Sequence, residues 1–424
     1  MSTSEQFQHF VEHFILPSFP GSKVENKNWP APKKNRHELA TYTGNKNHLV
    51  LRASDSCSSG IKVSRSQFFE EDELRFIRNI LKSASDNKIY DYDNPVFGEL
   101  ATTAFSQAVA TFLGIGDIAG SILSLLRQWA CETYEGQNIS MCIGVDTDSS
   151  GNSQGDNSLS LNDIRQEDFV RVLSNSHDSI LVVNLQGKLL RLEHATGYDE
   201  KTLAPLRFVP IAHWAKQRRV AFVLTRMNEI LVFANGALAF SFRRGHWFYY
   251  THEHNIQIMS NRQPNAYAKD ARMALYLTAL DMAFMKKGGC LGYLKNTSRK
   301  KLISTRNRIL DKKYLLFSES EDSKTKILSN LLKDQKFSNL PRIHRLELLA
   351  MDGAMIIDHN QEFVAVGALL GIKNDVTDSS YGGRNAAART LGRLGLGIKI
   401  STDGYIRVFA PAKHAPYTHD ILKI

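Results

Sequence analysis

Residues 349–358 read Leu-Ala-Met-Asp-Gly-Ala-Met-Ile-Ile-Asp, and this segment is the most informative one for the fold of the C-terminal part of the chain. An aspartate and a glycine stand directly before an apolar run, and a short apolar run of this kind predicts a buried strand. A carboxylate at the start of such a strand can bind a metal ion or accept a proton. The stretch therefore predicts a strand whose first residues lie at a chemically active edge.

A second informative stretch, Tyr-Gly-Gly-Arg-Asn-Ala-Ala-Ala-Arg, occupies residues 381–389. A glycine pair and an arginine open an alanine-rich segment, which predicts a helix that begins near Gly382. Unpaired backbone N–H groups and the helix dipole both favour an anion at a helix start. Together the two stretches predict a site for a nucleoside triphosphate and its metal.

The two stretches resemble the signature of the diadenylate cyclase family, which is Asp-Gly-Ala followed by Gly-Thr-Arg-His-Arg-Ala-Ala. The first motif is intact as Asp352, Gly353 and Ala354. The flanking segments are similar to the family as well, and the resemblance covers roughly residues 265–412. It implies a C-terminal mixed sheet flanked by helices, within an overall α+β fold.

The second motif is only partly kept. The matching positions are Gly382, Arg384, Ala387 and Ala388. Gly383 replaces the family threonine, Asn385 the histidine and Ala386 the second arginine. Asn385 can offer an oxygen to a metal or cap the helix, but it cannot carry charge. Arg389 lies near the same helix face and is a candidate to replace the missing phosphate contact.

The resemblance implies an enzyme that joins two ATP molecules into cyclic di-AMP, or a related cyclic dinucleotide, and releases pyrophosphate. It implies Asp352 as the catalytic residue, with Asp352 and Asn385 as ligands of Mg²⁺ or Mn²⁺. It implies nucleotide contacts from Gly353, Ala354, Gly382, Gly383, Arg384, Asn385 and Arg389. One domain of this family binds one ATP, so a homodimer or a face-to-face pair of catalytic domains is expected.

Because the second motif departs at three positions, an alternative stays open. The same fold could serve as a catalytically inactive sensor of a nucleotide or cyclic dinucleotide. A third hypothesis is a nucleic-acid-binding protein. It rests on the net charge of +10 and on the basic residues between positions 299 and 313. Few aromatic residues accompany that basic tract, so nucleic acid is the weakest of the three expectations.

The length of 424 residues predicts two or three domains. We expect residues 265–424 to form the diadenylate cyclase-like domain and residues 1–260 to form an α+β regulatory or sensor region that responds to an unknown ligand or signal. Within that region, one possible division is a helical part, residues 1–135, and a mainly β part, residues 136–260. The patterns of residues 1 to about 85 predict a mix of short helices and strands, with a strand at residues 48–52. Leu185-Gln186-Gly187 and Asn235-Gly236 each predict a hairpin in a set of antiparallel strands.

The remaining patterns favour a cytoplasmic protein with no membrane span. The four cysteines are scattered and lack metal-ligand spacing, which is typical of free thiols in a reducing compartment. The apolar stretch 104–126 contains an aspartate and three glycines, so it predicts two helices that meet near residues 114–116, or one buried helix. Residues 146–160 have partial calcium-loop spacing but lack the final glutamate, so a solvated loop is expected.

Overall fold

The computed structural model describes residues 3–31, 37–65, 68–91, 96–148, 159–165, 167, 170, 173–259, 267–295, 298–303, 309–318, 322–371, 382–411 and 418–423. The chain divides into two compact units, Met1–Thr251 (the first unit) and His252–Ile424 (the second unit). Both combine helices with sheets, in agreement with the expected α+β class. In the described ranges, no helix is both long and apolar enough to cross a lipid bilayer.

The first unit contains seven α-helices and thirteen strands in its described ranges. The helices are α1 (Thr3–Phe10), α2 (Leu16–Ser18), α3 (Glu71–Asp86), α4 (Phe97–Leu113), α5 (Asp117–Trp129), α6 (Leu161–Ile164) and α7 (Val209–Trp214). The strands are β1 (Lys23–Pro30), β2 (Ala40–Thr43), β3 (Asn45–Leu51), β4 (Ser59–Ser64), β5 (Thr133–Tyr134), β6 (Gln137–Asn138), β7 (Met141–Asp146), β8 (Ser179–Val183), β9 (Leu189–His194), β10 (Arg219–Leu224), β11 (Ile230–Ala234), β12 (Ala237–Arg243) and β13 (His246–Tyr249).

A seven-stranded sheet forms the centre of the first unit, in the order β13-β12-β11-β10-β7-β8-β9. Only β7 and β8 run parallel, and the other neighbours are antiparallel. The two predicted hairpins are observed, because β8 turns back into β9 and β11 turns back into β12. In the second of these turns, Asn235 and Gly236 both adopt positive φ, which is the conformation that a tight hairpin requires.

The start of the first unit combines helices with a small sheet. Residues 23–64 contribute a four-stranded antiparallel sheet in the order β1-β4-β3-β2. The sequence pattern indicated only one of these strands, because β1 is mostly exposed and shows no apolar alternation. Helices α4 and α5 do meet at residues 114–116, where Gly114 ends α4 with a φ of 68°.

The second unit contains six helices and six strands in its described ranges. The helices are α8 (His252–Ile258), α9 (Tyr267–Phe284), α10 (Ser298–Ile303), α11 (Ser323–Leu331), α12 (Arg342–Ala350) and α13 (Gly382–Leu394). The strands are β14 (Gly289–Leu294), β15 (Ala354–Ile357), β16 (Phe363–Ala368), β17 (Gly395–Ile400), β18 (Ile406–Pro411) and β19 (Thr418–Lys423). The six strands form one sheet in the order β16-β15-β14-β17-β18-β19.

Strands β14 and β15 are parallel and the other pairs of this sheet are antiparallel, so the sheet is mixed. Helices lie on both of its faces. A side chain at Gly289 would meet Leu349 and Met282, whereas one at Gly292 would meet Leu391 of α13. Because residues three apart on a strand point to opposite faces, α9 and α12 cover one face and α13 covers the other.

Helix α13 lies unusually close to the sheet. A Cβ atom at Gly397 of β17 would overlap the carbonyl oxygen of Ala388, and one at Gly392 of α13 would lie 2.7 Å from Cβ of Phe409. Small residues on both sides let the helix backbone approach the strands directly. The alanine-rich and glycine-rich sequence therefore fixes the position of α13, including its first turn.

Candidate functional site

Three segments meet at one edge of the second unit's sheet. Cys290 at the start of β14 pairs with Ala354 at the start of β15, and Gly289 pairs with Ile400 at the end of β17. The residues before β14, before β15 and after β17 therefore emerge side by side. Asp352 lies at this edge and is exposed to solvent.

The first turn of α13 reaches the same edge. The guanidinium of Arg384 lies against Gly288, in the space that a side chain at this position would occupy, and the methyl group of Thr402 lies beside it. Burial raises the pKa of the Cys290 thiol to about 12, and the positive charge of Arg384 acts in the opposite direction. Arg384 is itself exposed, so its charge faces solvent next to the segment that carries Asp352.

Gly353 has a backbone conformation that excludes other residues. Its φ is +110°, and a Cβ atom there would lie 2.5 Å from the carbonyl carbon of Gly367 and 2.7 Å from the amide nitrogen of Ala368. A side chain would therefore be both strained and sterically blocked. The backbone at Asp352 and Gly353 packs directly on the end of β16, and Ala354 is buried behind it.

Lys324 is a site residue that the sequence patterns did not reveal. It is exposed near the start of α11, and its Nζ donates a hydrogen bond of 3.3 Å to the carbonyl oxygen of Gly367. The Asp322 carboxylate begins the helix by accepting from the Thr325 backbone N–H at 2.8 Å. Lys324 thus brings a positive charge to the edge from a segment that no motif marked.

Gly288, Gly353 and Gly367 form a strip without side chains, which we call the glycine strip. Gly288 directly precedes β14, Gly353 directly precedes β15 and Gly367 lies near the end of β16, all at the same edge, with Arg384 at one end and Lys324 at the other. Because neighbouring strands are about 4.8 Å apart, the two cations flank a strip roughly 10 Å wide. Bare backbone between two positive groups is suited to an extended polyanion such as a triphosphate.

Asn385, the residue after Arg384 in the first turn of α13, has an unsatisfied polar atom. Only 2% of the residue is exposed, and its Oδ1 has no hydrogen-bond partner in the part of the chain that the structure describes. Leaving a buried polar atom unpaired costs about 1–3 kcal/mol. A ligand that donates a hydrogen bond or coordinates through this oxygen would remove that cost.

Gly382 and Gly383 are exposed at the start of α13. Helix geometry leaves the first N–H groups of α13 without intrahelical partners, and among the described residues no neighbour lies within 4 Å of the side-chain positions of these glycines. Arg389, one turn beyond Asn385, lies with its guanidinium 5.6 Å from the centre of the Phe409 ring. Its contact with phosphate stays a prediction.

The donor set at this edge fits Mg²⁺ or Mn²⁺. In the described ranges, no three His, Cys, Asp or Glu side chains form a metal-binding group. Mg²⁺, however, usually takes only one or two carboxylates from the protein and completes its shell with water and substrate phosphates. The exposed Asp352 carboxylate suits that role, and the neutral Oδ1 of Asn385 is a further oxygen donor.

Asp358 and Asp146 are two further acidic residues, and the contacts of each explain its position. The Asp358 carboxylate is buried and accepts the backbone N–H groups of Asn360 and Glu362 at 2.9 Å and 3.0 Å, so it shapes the turn after β15. In the first unit, the Asp146 carboxylate lies 3.1 Å from Arg191. The rest of the predicted solvated loop, residues 149–158, lies outside the described residues.

Comparison with known proteins adds little to this picture. The chain matches no protein-family model. It also matches no curated protein. Among solved structures, it is similar to a double cysteine mutant of DacA from Staphylococcus aureus, with 16% sequence identity, 32% of this chain and 78% of that chain covered, and a TM-score of 0.22.

Proposed function

We propose that the second unit binds ATP at the glycine strip and that two such units join two ATP molecules into cyclic di-AMP. The observation that carries the proposal is the position of Arg384 against Gly288, at the edge where the intact Asp-Gly-Ala motif begins β15. Two motifs separated along the chain thereby supply a carboxylate and a cation to one place. The resemblance to the diadenylate cyclase family rests on these same residues.

The glycine strip accounts for substrate binding in this proposal. Its backbone lets a triphosphate lie close to the sheet, and Arg384 and Lys324 balance the negative charge from the two ends. The unpaired N–H groups at the start of α13 add donors that face the same edge. Fixed positive groups of this kind hold the phosphates in line for displacement.

In the proposed reaction, the 3′-hydroxyl oxygen of one ATP attacks the α-phosphorus of the other. The O3′–P bond forms, the bond between the α-phosphorus and the bridging oxygen breaks, and pyrophosphate leaves. Asp352 accepts the hydroxyl proton directly or through water. A second reaction of the same kind closes the ring, so two ATP give one cyclic dinucleotide and two pyrophosphates.

A divalent cation, held by Asp352 with the Asn385 oxygen as a further donor, would neutralise phosphate charge when bound. Arg384 and Lys324 orient the triphosphate from the two ends of the strip. Because one unit binds one ATP, the attacking hydroxyl must come from a nucleotide on a second copy. The proposal therefore includes a homodimer or a transient face-to-face pair.

A second candidate function is a nucleotide sensor without turnover. Asn385 favours the sensor function, because this buried neutral amide occupies the position where the diadenylate cyclase family, which the sequence resembles, has a histidine. Gly383 and Ala386 remove two further polar contacts from the same turn. A sensor would keep affinity for ATP or a cyclic dinucleotide and transmit the bound state to the first unit.

Product analysis tests the proposal and separates it from the sensor. The full chain is incubated with ATP and Mg²⁺ or Mn²⁺, and the products are identified by mass spectrometry. We expect a cyclic dinucleotide from the parent protein and at least a hundredfold less from Asp352→Asn, since general-base and metal contacts contribute about 10²–10⁴-fold. Asp270→Asn, an exposed aspartate on α9, is the matched control and keeps activity.

Binding measurements give the remaining outcomes their meaning. ATP affinity without product, in a protein shown to be dimeric, would favour the sensor. If the protein neither forms product nor binds ATP, both functions are rejected. Equal loss in Asp270→Asn and Asp352→Asn would show that the aspartate at the edge has no special role.

A further inference from the structure

A cluster of positive side chains lies at one edge of the first unit's seven-stranded sheet, where β7 and β8 begin and β10 ends. Leu224 of β10 pairs with Met141 of β7, which runs parallel to β8, so the turn after β10 and the segments before β7 and β8 share this edge. Arg226 lies in that turn, and His177 lies just before β8.

Arg207 joins the cluster from the 3₁₀ helix Leu206–Phe208. Its Nε lies 3.0 Å from Nδ1 and 3.1 Å from Nε2 of His177, so the guanidinium contacts the imidazole ring. Burial and the positive charge of Arg226 lower the pKa of Arg207. Burial, and after it Arg207, lower the pKa of His177; the Ser176 backbone and Asp178 raise it, and Arg226 adds the smallest lowering effect. Two guanidiniums and an imidazole thus lie close enough to oppose one another's charge.

The turn that carries His177 is held rigidly. The side-chain oxygen of Asn175 accepts the backbone N–H groups of His177 at 2.8 Å and Asp178 at 3.0 Å. Ser176, which is 2% exposed, accepts a hydrogen bond of 2.8 Å from the Ser140 hydroxyl. The histidine therefore holds its place beside Arg207 without help from a ligand.

Carboxylates do little to neutralise this cluster. Asp178 is the acidic side chain closest in sequence, and its carboxylate accepts a hydrogen bond of 3.0 Å from the Asn175 amide. Arg207 and Arg226 are both exposed, and in the described residues neither side chain forms an ion pair with an acidic group. Like charges held together destabilise a fold unless an anion compensates them.

We propose that Arg207, Arg226 and His177 form a binding site for a phosphate-type oxyanion, which would make it an input site of the first unit. Two guanidiniums can each donate paired hydrogen bonds to tetrahedral oxygens, and contact with the His177 ring holds the Arg207 guanidinium in place. The inference is independent of the function proposed for the second unit, because none of these residues belongs to it.

Calorimetric titration of the full chain with inorganic phosphate tests the site. Every protein carries Arg384→Ala, so that phosphate binding at the second unit's edge is weakened equally in all of them. We expect Arg207→Gln and Arg226→Gln each to lower phosphate affinity roughly tenfold or more. Arg218→Gln is the matched control, since this exposed arginine lies at the opposite end of β10, and it leaves the affinity unchanged.

One further variant and two further ligands complete the test. Arg207→Lys should bind phosphate more tightly than Arg207→Gln but less tightly than the parent, because lysine keeps the charge and loses the paired hydrogen bonds. Adenosine monophosphate in place of phosphate shows whether the oxyanion is taken free or on a nucleotide. Equal losses in all three glutamine variants, no loss in any of them, or equal competition by acetate would each overturn the proposal. If Arg207→Gln fails to fold, Arg226→Gln in the exposed turn carries the test.

Discussion

Arg342 forms a fully buried bidentate ion pair with Asp281, in which Nε donates to Oδ2 at 2.9 Å and the second nitrogen lies 2.5 Å from Oδ1. Asp281 belongs to α9 and Arg342 is the first residue of α12. The pair therefore ties the helix that leads into Asp352 to its neighbour on the same face of the sheet. It fixes the direction from which the chain enters the candidate site.

Breaking this pair is expected to destabilise the second unit. Arg342→Met leaves a buried carboxylate without its partner, and removing one member of a buried pair costs about 3–5 kcal/mol. Urea unfolding followed by circular dichroism measures the loss. All four tryptophans lie in the first unit, so the unfolding transition that their fluorescence reports serves as an internal control and should not change.

Replacing both residues of the ion pair, as in Arg342→Met with Asp281→Leu, should restore most of the stability. A loss below about 1 kcal/mol in the single variant would contradict the buried geometry.

Gly353→Ala is expected to lower both stability and ATP affinity. The added methyl group meets the backbone of Gly367 and also forces an L residue into positive φ. Gly44→Ala is the matched control, because Gly44 has a φ of +78° in open space. The control should lose about 1 kcal/mol and Gly353→Ala about 2 kcal/mol or more, since it adds a clash to the same strain. Similar losses in the two variants, each read by urea unfolding, would show that the backbone contact at Gly353 is unimportant.

Lys324→Ala is expected to weaken ATP binding roughly tenfold, because one charge-assisted contact at the glycine strip is lost. Lys326→Ala is the matched control, because Lys326 is exposed on the same helix. This variant should bind ATP as tightly as the parent protein. Lys324→Arg should recover most of the affinity. Calorimetric titration with a non-hydrolysable ATP analogue checks all three. Unchanged affinity in Lys324→Ala would remove this lysine from the site.

The buried Cys290 thiol gives a prediction for alkaline pH. Burial raises its folded-state pKa from 9.0 to about 12, so above pH 9 the unfolded chain releases a proton that the folded chain keeps. The free energy of unfolding must therefore fall as pH rises from 9 towards 12. Comparing the parent with Cys290→Ala by urea unfolding at pH 8.5 and pH 10.5 isolates this effect from the titrating tyrosines. An equal decrease in both proteins would contradict the raised pKa.

Local patterns predicted the parts of the fold that local chemistry determines. Asn235-Gly236 specifies its hairpin because both residues accept positive φ, and the apolar run after Gly353 specifies β15. The exposed strand β1 was missed because it buries little apolar surface and so leaves no alternating pattern. The parallel pairing of β14 with β15 joins segments far apart in sequence, and no local pattern encodes it.

The candidate site divides in the same way. Asp352 and Arg384 were found because each lies in a recognisable motif, whereas Lys324 touches Gly367 across 43 residues of sequence. Gly288 lies in neither motif, and its contact with Arg384 depends on how α13 packs against the sheet. The burial of Asn385 likewise follows from tertiary packing and could not be deduced from its neighbours.

The close contact between α13 and the sheet has a consequence for how this protein can diversify. The helix is anchored along its later turns, where Gly397 faces Ala388 and Gly392 faces Phe409. Its first turn is held in place by that anchor and contributes little to it. Substitutions at the exposed position 383 and the half-buried position 386 can therefore accumulate without displacing Arg384, so ligand preference can change while the scaffold stays the same.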